Sequence, residues 1–238
     1  MFVTLMYHLI DGSIRASTAI SEKAFDEQIS LLRNIGYQFL SLSQAQEIVA
    51  GKIEAPPQGI LITFDDGYAD NITAALPVLM RYGVPAALFV ISAYVGQSNR
   101  WNPKACYDSD HASWDELRIW LNGGCEIGGH SHDHLCMTRL NENEIRHSVQ
   151  LNKDLLEDKL GIELTAFSYP YGLYNAAIRQ IVSESFQLAF SDTAGSWVPW
   201  NDRYAINRLG VRPEWSIKEF QKRIDALGYL SKGALQAY

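Results

Sequence analysis

Short apolar runs alternate with longer segments of helical periodicity along this chain. The runs are rich in Ile, Leu, Val and Phe, as expected of strands that are buried on both faces. We predict such strands at residues 2–7, 60–64 and 85–91. Residues 21–34 and 71–82 carry apolar side chains at helical spacing, and Gly36 and Gly83 predict where these two helices end. Strands that alternate with helices in this way are typical of a parallel sheet.

Polar residues mark the starts of further helices. Capping boxes are predicted at Ser43 with Gln46, Ser113 with Glu116 and Asn141 with Glu144. The last of these opens the longest helix, which we expect to end before Gly161. Further strands are predicted at residues 37–42, 164–168, 187–190 and 205–209, and further helices at residues 176–185 and 216–230. We therefore predict an α/β fold, an irregular (β/α) barrel with seven or eight parallel strands, as a single catalytic domain over residues 1–238.

Composition narrows the class of partner. The chain has 27 acidic and 20 basic side chains and a formal net charge of −7, which argues against nucleic acid or an anionic membrane surface. The three cysteines, Cys106, Cys125 and Cys136, lack CxxC spacing, so we expect free thiols in a reducing compartment. The N-terminal residues carry no basic leader and no stretch that could span a membrane. We expect a cytoplasmic enzyme without an integral membrane segment, although a chain from which a leader had been removed would look the same.

Two adjacent carboxylates follow the most apolar run. Asp65 and Asp66 come directly after residues 60–64, at the carboxyl end of the predicted strand, where α/β folds place their chemistry. Neighbouring carboxylates repel each other, so either a cation keeps at least one of them ionised or one carries a proton at neutral pH. A metal ion satisfies the first condition. A second interpretation is purely structural, with Asp65 capping the helix that starts near Asp70 and Asp66 forming a turn with Gly67.

Three of the six histidines lie within five residues, after another short apolar segment. His130 and His134 are separated by three residues, so their imidazoles can meet on one side of a helical turn and chelate one ion. Two imidazoles and one carboxylate leave positions on a first-row metal open for water and substrate, which is the arrangement of a catalytic site. The alternative is a solvated histidine-rich loop.

These two stretches together resemble the polysaccharide deacetylases, which are also called carbohydrate esterase family 4. The family's first motif, Thr-Phe-Asp-Asp-Gly, is matched without change by residues 63–67, and its second, His-Ser/Thr-x-x-His, by residues 130–134. The third motif, Arg-x-Pro-Tyr/Phe-Gly, is present at residues 168–172 with Ser168 in place of the arginine. The resemblance covers about residues 1–212 and is strongest at the first two motifs.

The resemblance implies removal of an N-acetyl group from an amino sugar in a polymeric, oligomeric, lipid-linked or nucleotide-linked saccharide. It implies one divalent transition metal ion, with Zn²⁺ as the expected ion. The residues implied as its ligands are Asp66, His130 and His134. Asp65 is implied as the general base, and the backbone N–H of Tyr171 as a donor to the oxyanion. His132, between the two histidine ligands, is left out of the ligand set.

The sequence departs from the family at two positions that matter for the mechanism. The arginine of the third motif positions the base in the family, and Arg208 in the late predicted strand can reach the same rim and replace it. A surface ion pair is the alternative for Arg208. The family's last motif supplies a histidine as general acid, but no histidine follows His147. Our candidate for the acid is His8, at the end of the first strand after Tyr7, with a core or loop histidine as the alternative.

Other functions stay open at this point. The same superfamily includes enzymes that resemble deformylases and cyclic-amide hydrolases. A protein that has lost its general acid can also bind carbohydrate through a metal without turnover. Trp101, within the irregular segment 92–112, is a candidate contact for a sugar ring, and an aromatic staple that holds the segment down is the alternative.

Overall fold

A mostly parallel sheet of nine strands forms the centre of the molecule. The computed structural model describes residues 1–99, 109–199 and 201–235. The strands are Phe2–Tyr7 (β1), Gln38–Leu40 (β2), Gly59–Phe64 (β3), Ala87–Val90 (β4), Glu126–Gly129 (β5), Ala166–Ser168 (β6), Leu188–Phe190 (β7), Ser196–Trp197 (β8) and Leu209–Gly210 (β9). Of their pairings, only that of β8 with β1 is antiparallel.

Seven α-helices accompany these strands in the described residues. They are Glu22–Asn34 (α1), Leu42–Val49 (α2), Leu76–Tyr82 (α3), Trp114–Asn122 (α4), Glu142–Leu160 (α5), Ala176–Ser185 (α6) and Ile217–Leu235 (α7). A π-helical turn at Asn71–Ala75 runs directly into α3. None of the helices in this part of the chain is long and apolar enough to cross a bilayer.

The strand order shows how the sheet curls. The strands follow the order β7, β6, β5, β4, β3, β1 and β8, while β2 also pairs with β3 and β9 with β1. The segment that leads into β9 contacts both ends of this series, because Ile206 bridges to Phe190 of β7 and Leu209 pairs with Leu5 of β1. The sheet is therefore curled, with helices packed around it. The predicted α/β barrel architecture with parallel strands is confirmed.

Apolar side chains fill both faces of the sheet. Strands β1 and β3 are buried along their whole length, as their unbroken apolar runs predicted. One cluster of buried residues lies between the sheet and the helices and includes Phe25, Ile29 and Leu32 of α1. A second cluster joins strand residues such as Phe89 and Phe190, whose rings lie 5.3 Å apart. This second cluster forms an apolar floor below the strand ends.

Local signals predicted most helix ends correctly but failed at α2. The capping boxes at the starts of α4 and α5 are confirmed. The box predicted at Ser43 and Gln46 is wrong, because Ser41 and Gln44 form it and the helix begins two residues earlier. The Ser43 N–H instead donates to the Glu126 carboxylate at 3.0 Å. A Ser with the correct spacing is therefore not sufficient when a neighbouring Ser offers the same pattern.

The late strand predicted at residues 205–209 is also shorter than expected. Only Leu209 and Gly210 form strand β9, and Ile206 makes a single isolated bridge. The side chain of Arg208, between these two points, is fully buried. Its ionic contacts, described below, explain why a charged residue is found inside the sheet.

Candidate active site

The carboxyl ends of neighbouring parallel strands bring the predicted residues to one rim. Tyr7 pairs with Phe64 across β1 and β3, and the Asp65 N–H donates to the Tyr7 carbonyl at 3.0 Å. The residues that follow, His8 and Asp65, therefore lie side by side on adjacent strands. His130 follows β5 and Ser168 ends β6 at the same edge. Strand register thus assembles residues that are far apart in the chain.

Three side chains at this rim form a compact cluster that we call the triad. The residues are Asp66, His130 and His134. One oxygen, Asp66 Oδ1, lies 3.3 Å from His130 Nε2 and 3.4 Å from His134 Nε2, and all three residues are buried. His130 Nδ1 lies 2.7 Å from the Ser168 carbonyl, so this nitrogen carries the proton and Nε2 keeps its lone pair. Two imidazole nitrogens and a carboxylate fit a divalent transition metal ion.

The backbone around the triad adopts conformations that side chains usually avoid. Four residues other than glycine have positive φ in the described part of the chain, namely Asp66, Ser131, His134 and Tyr171, with φ values of 73°, 62°, 54° and 59°. Two of them belong to the triad and the other two lie next to it. Left-handed conformations of this kind persist only where the surroundings enforce them, and they are concentrated at functional sites.

Arg208 provides the cation that Asp65 needs. Its Nη1 and Nη2 each donate to a different Asp65 oxygen at 2.7 Å, in a bidentate pair that is almost completely buried. Nη2 also contacts the Ser168 hydroxyl at 2.9 Å, and Ser168 Oγ donates to Asp65 Oδ2 at 3.1 Å. The small Ser168 side chain, found where the family has arginine, thus joins the pair that Arg208 forms. Arg208 is not a surface residue, and Asp65 does not cap a helix.

The pKa values at the site follow from burial and from these contacts. Burial acts to raise the pKa of Asp65, but the positive charge of Arg208 and the nearby His130 outweigh it and hold the pKa below its ordinary value. The two triad histidines likewise outweigh burial at Asp66 and hold its pKa low. Burial lowers the pKa of His134 to about 3. Both carboxylates are therefore ionised at neutral pH and His134 is neutral, as metal ligands must be.

The other predicted residues lie around the triad. His8 is partly buried and close enough for its charge to act on Asp65, Asp66 and His134. The ring of Tyr171 lies 4.6 Å from the ring of His134 and is half exposed. His132 lies outside the triad, with Nδ1 3.0 Å from the Ser92 hydroxyl. Trp101, the candidate sugar contact, lies outside the described residues.

The sequence gave no warning of two buried residues that support the site. His111 Nδ1 donates to the Asp66 carbonyl at 2.9 Å, and its ring stacks on Tyr68. Asn71 Nδ2 donates to the His8 carbonyl at 2.6 Å. Both act on the backbone of a site residue and neither belongs to a recognisable motif. His111 falls in a segment that pattern alone assigned to an irregular loop.

Similar proteins share both the sequence and the fold. The family profile described as "Polysaccharide deacetylase" matches residues 52–185. The relative YxkH of Bacillus subtilis (strain 168) is 27% identical over 94% of this chain and 76% of its own length. A poly-beta-1,6-N-acetyl-D-glucosamine N-deacetylase of Staphylococcus epidermidis is 25% identical over 85% of this chain and 72% of its own length.

Two solved structures are similar over almost their whole length. IcaB from Ammonifex degensii is 26% identical with a TM-score of 0.83, over 94% of this chain and 96% of that one. The Streptococcus pyogenes deacetylase PplD has a TM-score of 0.81 at 21% identity, over 94% of this chain and 97% of that one. The likeness to PplD concerns the fold alone.

Proposed function

Because this chain belongs to the polysaccharide deacetylase family, we propose that it is a metal-dependent hydrolase that removes N-acetyl groups from the amino sugars of a polysaccharide or oligosaccharide. The observation that carries this proposal is the buried triad beside an Asp65 carboxylate that Arg208 keeps ionised. A carboxylate poised to accept a proton next to a metal site is what the hydrolysis of an amide requires.

The names of the relatives point to a class of polymer. The staphylococcal relative is named a poly-beta-1,6-N-acetyl-D-glucosamine N-deacetylase. We take β-1,6-linked N-acetylglucosamine as the first substrate to test, ahead of lipid-linked and nucleotide-linked sugars. This choice rests on sequence similarity to a protein of that name.

The triad is the proposed metal site, with Asp66, His130 and His134 as the ligands. A divalent transition ion such as Zn²⁺ supplies Lewis acidity, which polarises a carbonyl and lowers the pKa of water. The bond from His130 Nδ1 to the Ser168 carbonyl fixes the tautomer and the orientation of that ring. His134 is neutral because of its burial, so binding there needs no loss of a proton.

Asp65 is the proposed general base, and the structure favours one of its two oxygens. Oδ2 accepts from both Arg208 and Ser168, whereas Oδ1 accepts one bond, from Arg208. A carboxylate oxygen has two lone pairs, so Oδ1 retains one that can take a proton from the attacking water. Arg208 holds the carboxylate plane in place and keeps it charged while it waits.

His8 and Tyr171 complete the proposed mechanism. The Tyr171 N–H, in a left-handed turn beside His134, is the proposed donor to the oxyanion. His8 is the proposed acid that protonates the leaving amine, since it lies beside Asp65 on the adjacent strand. Asn71 holds the His8 carbonyl and so fixes the backbone from which this imidazole projects.

Acetate release tests the proposal directly. The purified protein is incubated with β-1,6-linked N-acetylglucosamine oligomers, with and without a chelator, and free acetate is measured. We expect release that the chelator abolishes and that added Zn²⁺ restores. Asp65→Asn should abolish release and leave the bound metal in place. Asp115→Asn, at an exposed carboxylate on α4, is the matched control and should behave as the wild type.

Other outcomes point to other functions. Hydrolysis of formamides or cyclic amides without acetate release would favour the deformylase and cyclic-amide branch of the superfamily. Binding of the oligomers without turnover would favour a carbohydrate-binding role. Loss of metal from Asp65→Asn would show that both aspartates hold the ion, and the base would then have to be sought elsewhere.

A further inference from the structure

Helix α5 grips the loop that carries both histidines of the triad. This ligand loop consists of residues 130–134. Ser148 and Asn152 are four residues apart on α5, so they share one face of the helix. Their side chains are buried, with exposed fractions of 4% and 0%. A polar pair this deeply buried needs a specific set of partners.

Asn152 is bonded to the strand end and the loop at the same time. Its Nδ2 donates to the Ser131 carbonyl at 2.6 Å and to the Val90 carbonyl at 3.0 Å. The Val90 carbonyl also accepts the His130 N–H at 3.1 Å. Only the amide NH₂ can donate to two carbonyls, so the orientation of this side chain follows from its partners. The amide of Asn152 therefore fixes the residues on either side of His130.

Ser148 holds the other half of the loop. Its Oγ accepts the His132 N–H at 3.2 Å and donates to Asp133 Oδ1 at 2.9 Å. Within the loop, the His134 N–H donates to Ser131 Oγ at 3.0 Å. The two α5 side chains thus contact the segment between the ligands, while the ligand imidazoles face Asp66.

The loop needs such support because two of its residues are left-handed. Ser131 and His134 have φ values of 62° and 54°. Side chains rarely adopt this conformation without enforcement by the surroundings. The packing is also specific at Gly129, where an added Cβ would lie 2.5 Å from Asn152 Oδ1. A glycine at the end of β5 lets α5 approach closely enough for Asn152 to reach the loop.

We propose that Asn152 and Ser148 are positioning residues of the metal site, which hold the ligand loop in the one conformation that aims both imidazoles at Asp66. The inference rests on the proposed metal site of the triad. Residues that orient ligands through hydrogen bonds are worth about 10- to 100-fold in metal affinity. We expect Asn152, with two bonds to backbone carbonyls, to contribute more than Ser148.

The test is the dissociation constant for Zn²⁺, measured by competition with a chromogenic chelator on the whole protein. We expect Asn152→Ala to raise this constant about tenfold or more. The matched control is Leu156→Ala, one helical turn further along α5. Leu156 is fully buried in the core, so its loss destabilises the fold by leaving a cavity. Leu156→Ala should lower the Tm and leave the Zn²⁺ constant within about twofold of the wild type.

A second variant covers the case in which Asn152→Ala does not fold. Ser148→Ala removes one hydroxyl and should weaken Zn²⁺ binding, whereas Ser148→Thr keeps the hydroxyl and should restore it. His134→Ala gives the reference for loss of a ligand. Unchanged Zn²⁺ affinity in the α5 variants, or an equal loss in Leu156→Ala, would overturn the inference.

The readout separates this inference from the proposed function. A wild-type protein that binds no Zn²⁺ refutes the metal site itself and the inference with it. A wild-type protein that binds Zn²⁺ with unchanged affinity in the α5 variants refutes only the positioning role. Reduced affinity in a protein that releases no acetate supports the positioning role and refutes the deacetylase proposal.

Discussion

The buried pair of Arg208 and Asp65 leads to a quantitative prediction about stability. Both side chains are at least 98% buried and are joined by two bonds of 2.7 Å. In Arg208→Met, an apolar side chain of similar length lies over the rings of Phe89 and Phe190, but the Asp65 carboxylate loses its cation. Breaking a buried pair from one side costs about 3–5 kcal/mol, because the remaining charge is buried and uncompensated.

The expected loss is large enough to measure without ambiguity. For a protein of this size, 1 kcal/mol shifts the Tm by about 2–4 °C, so Arg208→Met should melt roughly 6–20 °C below the wild type. The double variant Asp65→Asn with Arg208→Met removes both charges and should recover most of the lost stability. Urea denaturation of the metal-free wild type, both single variants and the double variant gives the coupling free energy.

The pH dependence provides an internal check on the same pair. The folded-state pKa of Asp65 is held below its unfolded value, so its contribution is present above about pH 4 and is lost as the pH falls through the folded pKa. Arg208→Met should lose this part of the acid sensitivity. An exposed ion pair is worth about 0–1 kcal/mol. A single-variant loss of that size, or losses that add in the double variant, would refute the reasoning.

Two further predictions concern His8 and Asp70. His8→Ala should slow hydrolysis of an N-acetyl sugar by about a hundredfold and affect an activated acetate ester much less, because the ester leaving group needs no proton; equal losses on both substrates would indicate a packing role. Burial, with the neighbouring Asp11 charge, raises the pKa of Asp70 to about 7, so the wild type loses stability as the pH rises from about 4 to 7. Asp70→Asn should therefore match the wild type at pH 4 and exceed it at pH 8 by up to about 4 kcal/mol in urea denaturation, and equal stabilities at pH 8 would contradict this explanation.

The parts of the fold that depend on local sequence were predictable. Strands β1 and β3 are unbroken apolar runs, and burial on both faces leaves few other ways to accommodate them. Helix α5 begins at Asn141 and ends at Gly161 as predicted, because its capping box and its left-handed glycine act within a few residues. The short strand β9 was overestimated, since its length depends on pairing with β1 and not on its own composition.

The triad could also be predicted, because its residues belong to two compact motifs at strand ends. Asp66 and the two histidines needed only the assumption that parallel strands end at one rim. The supporting residues could not be found in this way. Asn152, His111 and Asn71 contact carbonyl groups that are distant in sequence, and a lone Asn or His in a helix or loop carries no signal of that contact.

Arg208 and His8 show why a site can be conserved in space and not in sequence position. The chemistry requires a guanidinium against Asp65 and an acid near the leaving group, wherever in the chain they originate. Arg208 meets the first requirement because the segment before β9 bridges β7 and β1, and Ser168 is small enough to share Asp65 with it. His8 is placed for the second because β1 pairs in register with β3, which sets it beside Asp65. Strand register therefore decides which residues can substitute for a missing motif, and candidates for such replacements are best sought one residue beyond the ends of the strands that flank the site.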